Sequence, residues 1–279
     1  MEYKQEVALT IMVRKHQCVD KSINRSIHFY VGSGTVATLV LALNLARLFQ
    51  TSSSNYPTYQ YRVRCCWWGA EELGLLGSIY HIAQASSPNT TVVGERLQDY
   101  LVNLNCDMVA SPNYFFGIHD VLTAPATTPS QALKGTDRIA DLFRQWFNER
   151  KLPWSNSTLS GSDFIPFLAA GIPVGDVHTG TADLKPADER DRYSAMLRTG
   201  NGGIANAGYD PCYHRQCDRI TNINPFAFEK VVKSVAYAME YLGRLNDLEK
   251  WLYPQGRSTN SAVLNKNQLY NFQHDPDII

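Results

Sequence analysis

Residues 61–68 read as a buried strand that runs straight into Gly69-Ala70-Glu71-Glu72, and two adjacent carboxylates leaving an apolar run need a reason. Adjacent residues at a turn point in different directions, so one acid can address a metal while its neighbour addresses a water molecule. A carboxylate beside a buried aromatic strand is also placed to have its pKa raised toward neutrality, as a hydrolytic base requires. The competing reading is a negatively charged helix start, which the helix dipole favours. A further acid, Asp107, follows the run Val102-Asn103-Leu104-Asn105-Cys106, where an Asp ordinarily forms a turn or caps a helix. His214 stands in Tyr209-Asp210-Pro211-Cys212-Tyr213-His214, a loop histidine among cysteines. Each has an ordinary structural explanation when taken alone.

The elements that must position these residues follow from periodicity. At 279 residues and 44% apolar content the chain can bury a full-sized core, as one large domain. Residues 61–68 and 101–109 are strand-length apolar runs, 172–177 is a shorter third, and 7–13 is a strand-like run near the start. Residues 36–49 are apolar nearly all round and predict a buried helix. Ile139, Leu142, Phe143, Trp146 and Phe147 form one face of another helix, and a last helix follows Pro225 with Val231, Val232, Val235, Met239 and Leu242 inward. That order predicts an α/β three-layer sandwich around a central, mostly parallel mixed sheet. In such folds polar chemistry collects beyond the carboxyl ends of strands, and Asp107 sits near one. Residues 111–130 and 184–209 read as long loops, and 253–279 as a polar C-terminal tail. Neither an internal repeat nor a domain linker is evident.

Composition excludes several function classes. The formal net charge is zero, with Lys, Arg, Asp and Glu scattered, so no basic stripe for nucleic acid or an anionic membrane surface is present. The longest apolar run, 36–49, contains Asn44 and Arg47 and falls short of the roughly 20 residues that span a bilayer. Residues 1–5 lead into a strand-like run with no cleavable apolar region, so no secretory signal opens the sequence. Of six cysteines, Cys212 and Cys217 flank His214. The pair is open to a zinc–thiolate reading or a local disulfide. The disulfide is favoured, because His214 has the better claim on metal and three sequons, at Asn24, Asn89 and Asn156, suit an oxidising compartment.

Together these segments resemble the zinc aminopeptidases of the aminopeptidase Y and bacterial leucyl aminopeptidase type, a fold shared with glutamate carboxypeptidases and glutaminyl cyclases. The resemblance spans about residues 32–242. It rests on Trp67-Trp68-Gly69-Ala70-Glu71-Glu72-Leu73-Gly74-Leu75-Leu76-Gly77-Ser78, on Leu104-Asn105-Cys106-Asp107-Met108-Val109-Ala110-Ser111-Pro112-Asn113 and on Tyr209-Asp210-Pro211-Cys212-Tyr213-His214. Gly32-Ser33-Gly34-Thr35, Ser162-Asp163-Phe164 and Ala170-Gly171-Ile172-Pro173 support it. The resemblance implies a zinc exopeptidase domain over residues 1–252, two zinc ions, Glu71 as general base, Glu72 and His214 as ligands of one zinc and Asp107 as a ligand of the other. Tyr213 would steady the oxyanion, and the partners would be peptides cleaved at their N-terminal residue. It also implies a secreted or vacuolar parent protein, since many relatives are.

The sequence departs from the family's pattern at its beginning. Relatives carry a His-x-Asp motif upstream and an Asp two residues before Gly-Ser-Gly that bridges both metals. Tyr30 occupies the bridging position here, and Cys18-Val19-Asp20 falls where His-x-Asp belongs, with His16 and His28 the nearby substitutes. Residues 1–31 are thus divergent or incomplete. Gly161 stands where related enzymes often have Arg. Two alternatives follow: a catalytically inactive relative that keeps the fold and binds peptides, and a single-zinc enzyme of the glutaminyl cyclase kind. Side-chain preference and oligomeric state have no signature in the sequence.

Overall fold

The computed structural model describes residues 9–15, 32–51 and 56–258, the first of these by backbone alone. Along the chain, β1 (Leu9–Lys15) is followed by α1 (Ser33–Thr51), β2 (Tyr61–Trp67), α2 (Leu76–Ala85), β3 (Tyr100–Cys106) and β4 (Gly117–Asp120). Then come α3 (Ser130–Glu149), β5 (Ser155–Thr158), α4 (Ile165–Ala169), β6 (Val174–Gly175), β7 (Val177–His178), α5 (Ala187–Leu197), α6 (Pro225–Arg244) and α7 (Leu248–Leu252).

β1 pairs antiparallel with both β2 and β3, and β6 pairs parallel with β3. In this four-stranded sheet of order β2-β1-β3-β6, the strands β2, β3 and β6 therefore run the same way and β1 opposes them. A second sheet, β5-β4-β7, sets β4 parallel to β5 and antiparallel to β7. β3 is buried at every position, as an interior strand with a near-continuous run of large side chains must be.

Side chains alternate across a strand, which gives the larger sheet two distinct faces. Val102, Leu104 and Cys106 of β3, with Val63 and Trp67 of β2, join a cluster containing Ala37 and Leu41 of α1, Ile139 and Phe143 of α3 and Val231 and Val235 of α6. The register through β1 aligns Val63 with Val102 and Trp67 with Cys106, so these residues share a face. Cys66 and Tyr100 belong to the other side, against Ile82 of α2 and Phe167 and Leu168 of α4. Helices thus cover both faces, the mixed α/β arrangement expected from the order of elements. α6 starts where Pro225 can occupy the first turn and Asn224 accepts from the backbone N–H groups of Phe226 and Ala227, both at 3.1 Å.

Five details differ from the sequence reading. α1 is buried on one side only: Ala37, Thr38 and Leu41 are enclosed, whereas Val36, Leu39, Val40 and Leu43 are 36–47% exposed. An all-round apolar helix carries no signal of which side meets the core. By length and composition α1 could cross a membrane, although a third of its apolar window is buried inside the protein. The stretch 111–130 holds β4, too short for alternation to register, and 184–209 holds α5, whose single buried side chain, Tyr193, leaves no stripe. Residues 172–177 form two strands rather than one, broken at Asp176. Tyr253, placed at the start of the tail, is buried, and its hydroxyl donates to the Leu101 carbonyl at 3.3 Å.

Candidate active site

β2, β3 and β6 point their carboxyl ends toward one edge of the sheet, and the residues singled out by sequence gather there. After β2 the chain folds back on itself: the N–H groups of Gly74 and Leu75 both donate to the Glu71 carbonyl, at 2.9 and 2.8 Å, and Gly77 N–H donates to the Gly69 carbonyl at 3.0 Å. A Cβ on Gly77 would lie 2.6 Å from that same carbonyl oxygen, so only glycine allows the closure. Ala70 and Leu75 adopt left-handed backbone, with φ of 60° and 56°. Strain of this kind concentrates where a site over-determines the backbone. α2 begins only at Leu76 and has no acid in its first turn, so the helix-dipole account of Glu71 and Glu72 does not hold.

Asp107 leaves β3 into another left-handed residue, Met108, with φ 46°. Three connections fix this corner: Thr179 N–H donates to the Met108 carbonyl at 2.7 Å, Val109 N–H donates to Ser33 Oγ at 3.3 Å, and Ser162 Oγ donates to Asp107 Oδ2 at 2.8 Å. Gly34 at the start of α1 abuts the same strand end, where an added Cβ would fall 2.2 Å from the Cys106 carbonyl oxygen.

His214 arrives on the loop before α6, also left-handed at φ 57°. Asp210 braces that loop, accepting from Cys212 N–H at 2.9 Å and from Asn222 Nδ2 at 2.8 Å. A disulfide joins Cys212 to Cys217, with Cα atoms 5.3 Å apart, which decides between the two readings of that pair. The Tyr213 ring stacks on the His214 imidazole at a centroid distance of 3.8 Å. His214 Nε2 is in direct contact with Glu72 Oε1. Two residues remote in sequence thus meet through their donor atoms.

The electrostatics of the cluster follow from crowding acids in a low-dielectric corner. Burial and the charges of Asp107, Asp163 and Glu72 push the Glu71 carboxyl up to about 9. Burial raises Asp107 as well. The Ser162 hydroxyl and the Met108 N–H oppose that shift, Glu72 adds to it and His214 reduces it. Glu71, Glu72, Asp107 and His214 therefore lie within electrostatic reach of one another. Asp163, noted in sequence only as part of a supporting motif, belongs to the same cluster and accepts from the Ser78 hydroxyl. Asp176 was missed, although a charge interrupting the run from Ile172 to Val177 was its signal. Tyr30, Cys18, Asp20, His16 and His28 lie outside the described residues. Gly161, at φ +79°, has open space where a side chain would stand.

A raised carboxyl beside a touching carboxylate–imidazole pair can exchange a proton and offers oxygen and nitrogen donors to a cation. Residues 32–239 match the model of peptidase family M28, and the chain belongs to that family. It is 32% identical over 212 residues to an aminopeptidase of Pseudomonas aeruginosa (strain UCBPP-PA14), covering 76% of this chain and 35% of that protein. It is 32% identical over 245 residues to the probable leucine aminopeptidase 2 of Aspergillus fumigatus, covering 85% of this chain and 41% of the relative. Among solved structures, a zinc aminopeptidase from Bacillus subtilis superposes with a TM-score of 0.47 at 19% identity, over 74% of this chain and 40% of that one. The chain spans about two fifths or less of the length of these relatives.

Proposed function

We propose that the chain carries the catalytic part of a zinc-dependent aminopeptidase, removing N-terminal residues from peptides. The observation that carries this reading is the contact between Glu72 and His214 beside the raised carboxyl of Glu71. Their oxygen and nitrogen atoms are donors of the kind zinc takes, and Asp107 offers a further oxygen close by. Among the described residues no three of His, Cys, Asp and Glu are grouped as they stand to hold an ion. A complete set needs Asp107 to close on the pair, or ligands from His16, Cys18, Asp20 and His28. Two ions, as the resemblance implies, would need the latter.

Bound zinc would supply Lewis acidity toward the scissile carbonyl and lower the pKa of water. The protein's own share is proton handling and orientation. Glu71 takes a proton from the attacking water and returns it to the leaving amine, a role suited to a carboxyl whose pKa is raised by burial and like charge. A bound zinc ion beside it would draw that value down again, as a base working near neutral pH requires. Tyr213, whose ring stacks on His214, would donate its phenol hydrogen to the developing oxyanion. The surrounding carboxylates favour a substrate that presents a free ammonium group.

The disulfide Cys212–Cys217 and the exposed sequon at Asn89 support a secreted or vacuolar parent protein. The test of function compares a leucyl dipeptide carrying a free amine with its N-acetylated form in zinc buffer. Release of leucine from the free form alone supports the reading. Cleavage of both, or of neither at any zinc concentration, contradicts it, and cyclisation of an N-terminal glutamine peptide would favour the cyclase alternative.

A further inference from the structure

Between β6 and β7 the chain passes from one sheet to the other through one residue. β6 ends at Gly175 in the four-stranded sheet and β7 begins at Val177 in the three-stranded sheet, so Asp176 alone joins them. Its side chain is enclosed, at 3% exposure. A carboxyl buried at such a junction is costly unless its hydrogen bonds have a purpose.

Those bonds lead to Asp107. Asp176 Oδ2 accepts from Asn105 Nδ2 at 3.3 Å, and the same nitrogen donates to Ser162 Oγ at 2.9 Å. Both amide hydrogens are then in use. Because Ser162 Oγ accepts on that side, its own hydrogen goes to Asp107 Oδ2, at 2.8 Å. Rotating the Asn105 amide by half a turn would present its oxygen to both neighbours. The Ser162 hydrogen would then turn to Asn105 and leave Asp107. The rotated amide would set Asn105 Oδ1 against Asp176 Oδ2, oxygen facing oxygen, so the acceptor at Asp176 favours the observed orientation.

We propose that Asp176 is a positioning residue for Asp107, setting the direction of the chain Asp176, Asn105, Ser162 and thereby holding one Asp107 oxygen so that the carboxylate faces the Glu72–His214 pair. The inference rests on the zinc reading above. It concerns a residue that touches neither an ion nor the reacting atoms, and it predicts an effect on metal affinity transmitted only through Ser162.

The experiment is calorimetric titration of the full metal-free chain with zinc, comparing wild type with Asp176→Leu, Asp176→Asn, Ser162→Ala and the double variant Asp176→Leu/Ser162→Ala. Near-UV circular dichroism checks that each is folded. Asp176→Leu is expected to weaken zinc binding on the order of tenfold, the usual scale for a group that orients a ligand. Asp176→Asn retains an oxygen for the Asn105 N–H and should stay within about threefold of wild type on the same scale. The double variant should bind no more weakly than Ser162→Ala alone, because the two act in series. If Asp176→Leu does not fold, Asn105→Leu, close in shape and without hydrogens to donate, is expected to give the same tenfold loss. Wild-type affinity in the Leu variants, or losses that multiply in the double variant, overturns the positioning role while leaving the zinc reading intact. A wild-type chain that takes up no zinc overturns both.

Discussion

Glu71 sits among Asp107, Asp163 and Glu72, and its raised pKa ties catalysis and stability to one side chain. Replacing Glu71 by Gln keeps the shape and removes the proton acceptor, so kcat is expected to fall about 10²- to 10⁴-fold with zinc affinity little changed. Single-turnover kinetics alongside zinc titration checks this, and an unaltered kcat would remove Glu71 from the chemistry. The same shift sets a pH dependence in the zinc-free protein. A carboxyl pushed up to about 9 from an ordinary value of 4.5 favours the folded state fully below pH 4.5, and that contribution is lost as pH rises toward 9. The zinc-free melting temperature should therefore decline between pH 5 and 9, with a shallower decline for Glu71→Gln. Glu71 and Glu72 were legible as two adjacent acids leaving an apolar strand, whereas Asp107 was singled out through the family resemblance, an isolated Asp at a strand end being ordinarily a turn former. Ser162, Asn105 and Asp176 were not assigned roles, since a hydrogen-bonded relay drawn from three separate segments has no spacing to detect.

At the scale of elements, the site depends on how tightly loops and helix ends are pinned to strand ends. Cys212–Cys217 closes a loop with a sequence separation of 5 around His214, which is held in left-handed backbone. Replacing both cysteines by serine should cost about 2 kcal/mol by loop-closure entropy. It should also weaken zinc binding relative to wild type, because the loop carrying His214 gains freedom. Equal zinc affinity with and without the disulfide would show that Asp210 and Asn222 suffice to hold the loop. Gly34→Ala drives a methyl group into the Cys106 carbonyl, 2.2 Å away, and should destabilise the fold by about 1–3 kcal/mol in urea unfolding. Long elements with a clear apolar face, such as α3 and α6, could be read from periodicity. β4 could not be, at four residues, nor could α5, which buries only Tyr193.

Over the whole molecule, the alternation of apolar runs was enough to give the α/β class, because burial on both faces of β3 and on one stripe of each long helix leaves a strong pattern. It did not give the antiparallel placement of β1 between β2 and β3, which depends on pairing across distant segments. Nor did it reveal that α1 keeps an exposed apolar side. On the proposed function, Glu72 and His214 meet in order to share a cation, with Asp107 beside them. Anomalous diffraction at the zinc absorption edge from zinc-soaked crystals tests this directly. We predict a peak bonded to Glu72 and to His214 Nε2 at roughly 2.0–2.2 Å, the range for zinc with oxygen and nitrogen donors. An anomalous map with no peak between those two side chains, at saturating zinc, would contradict it.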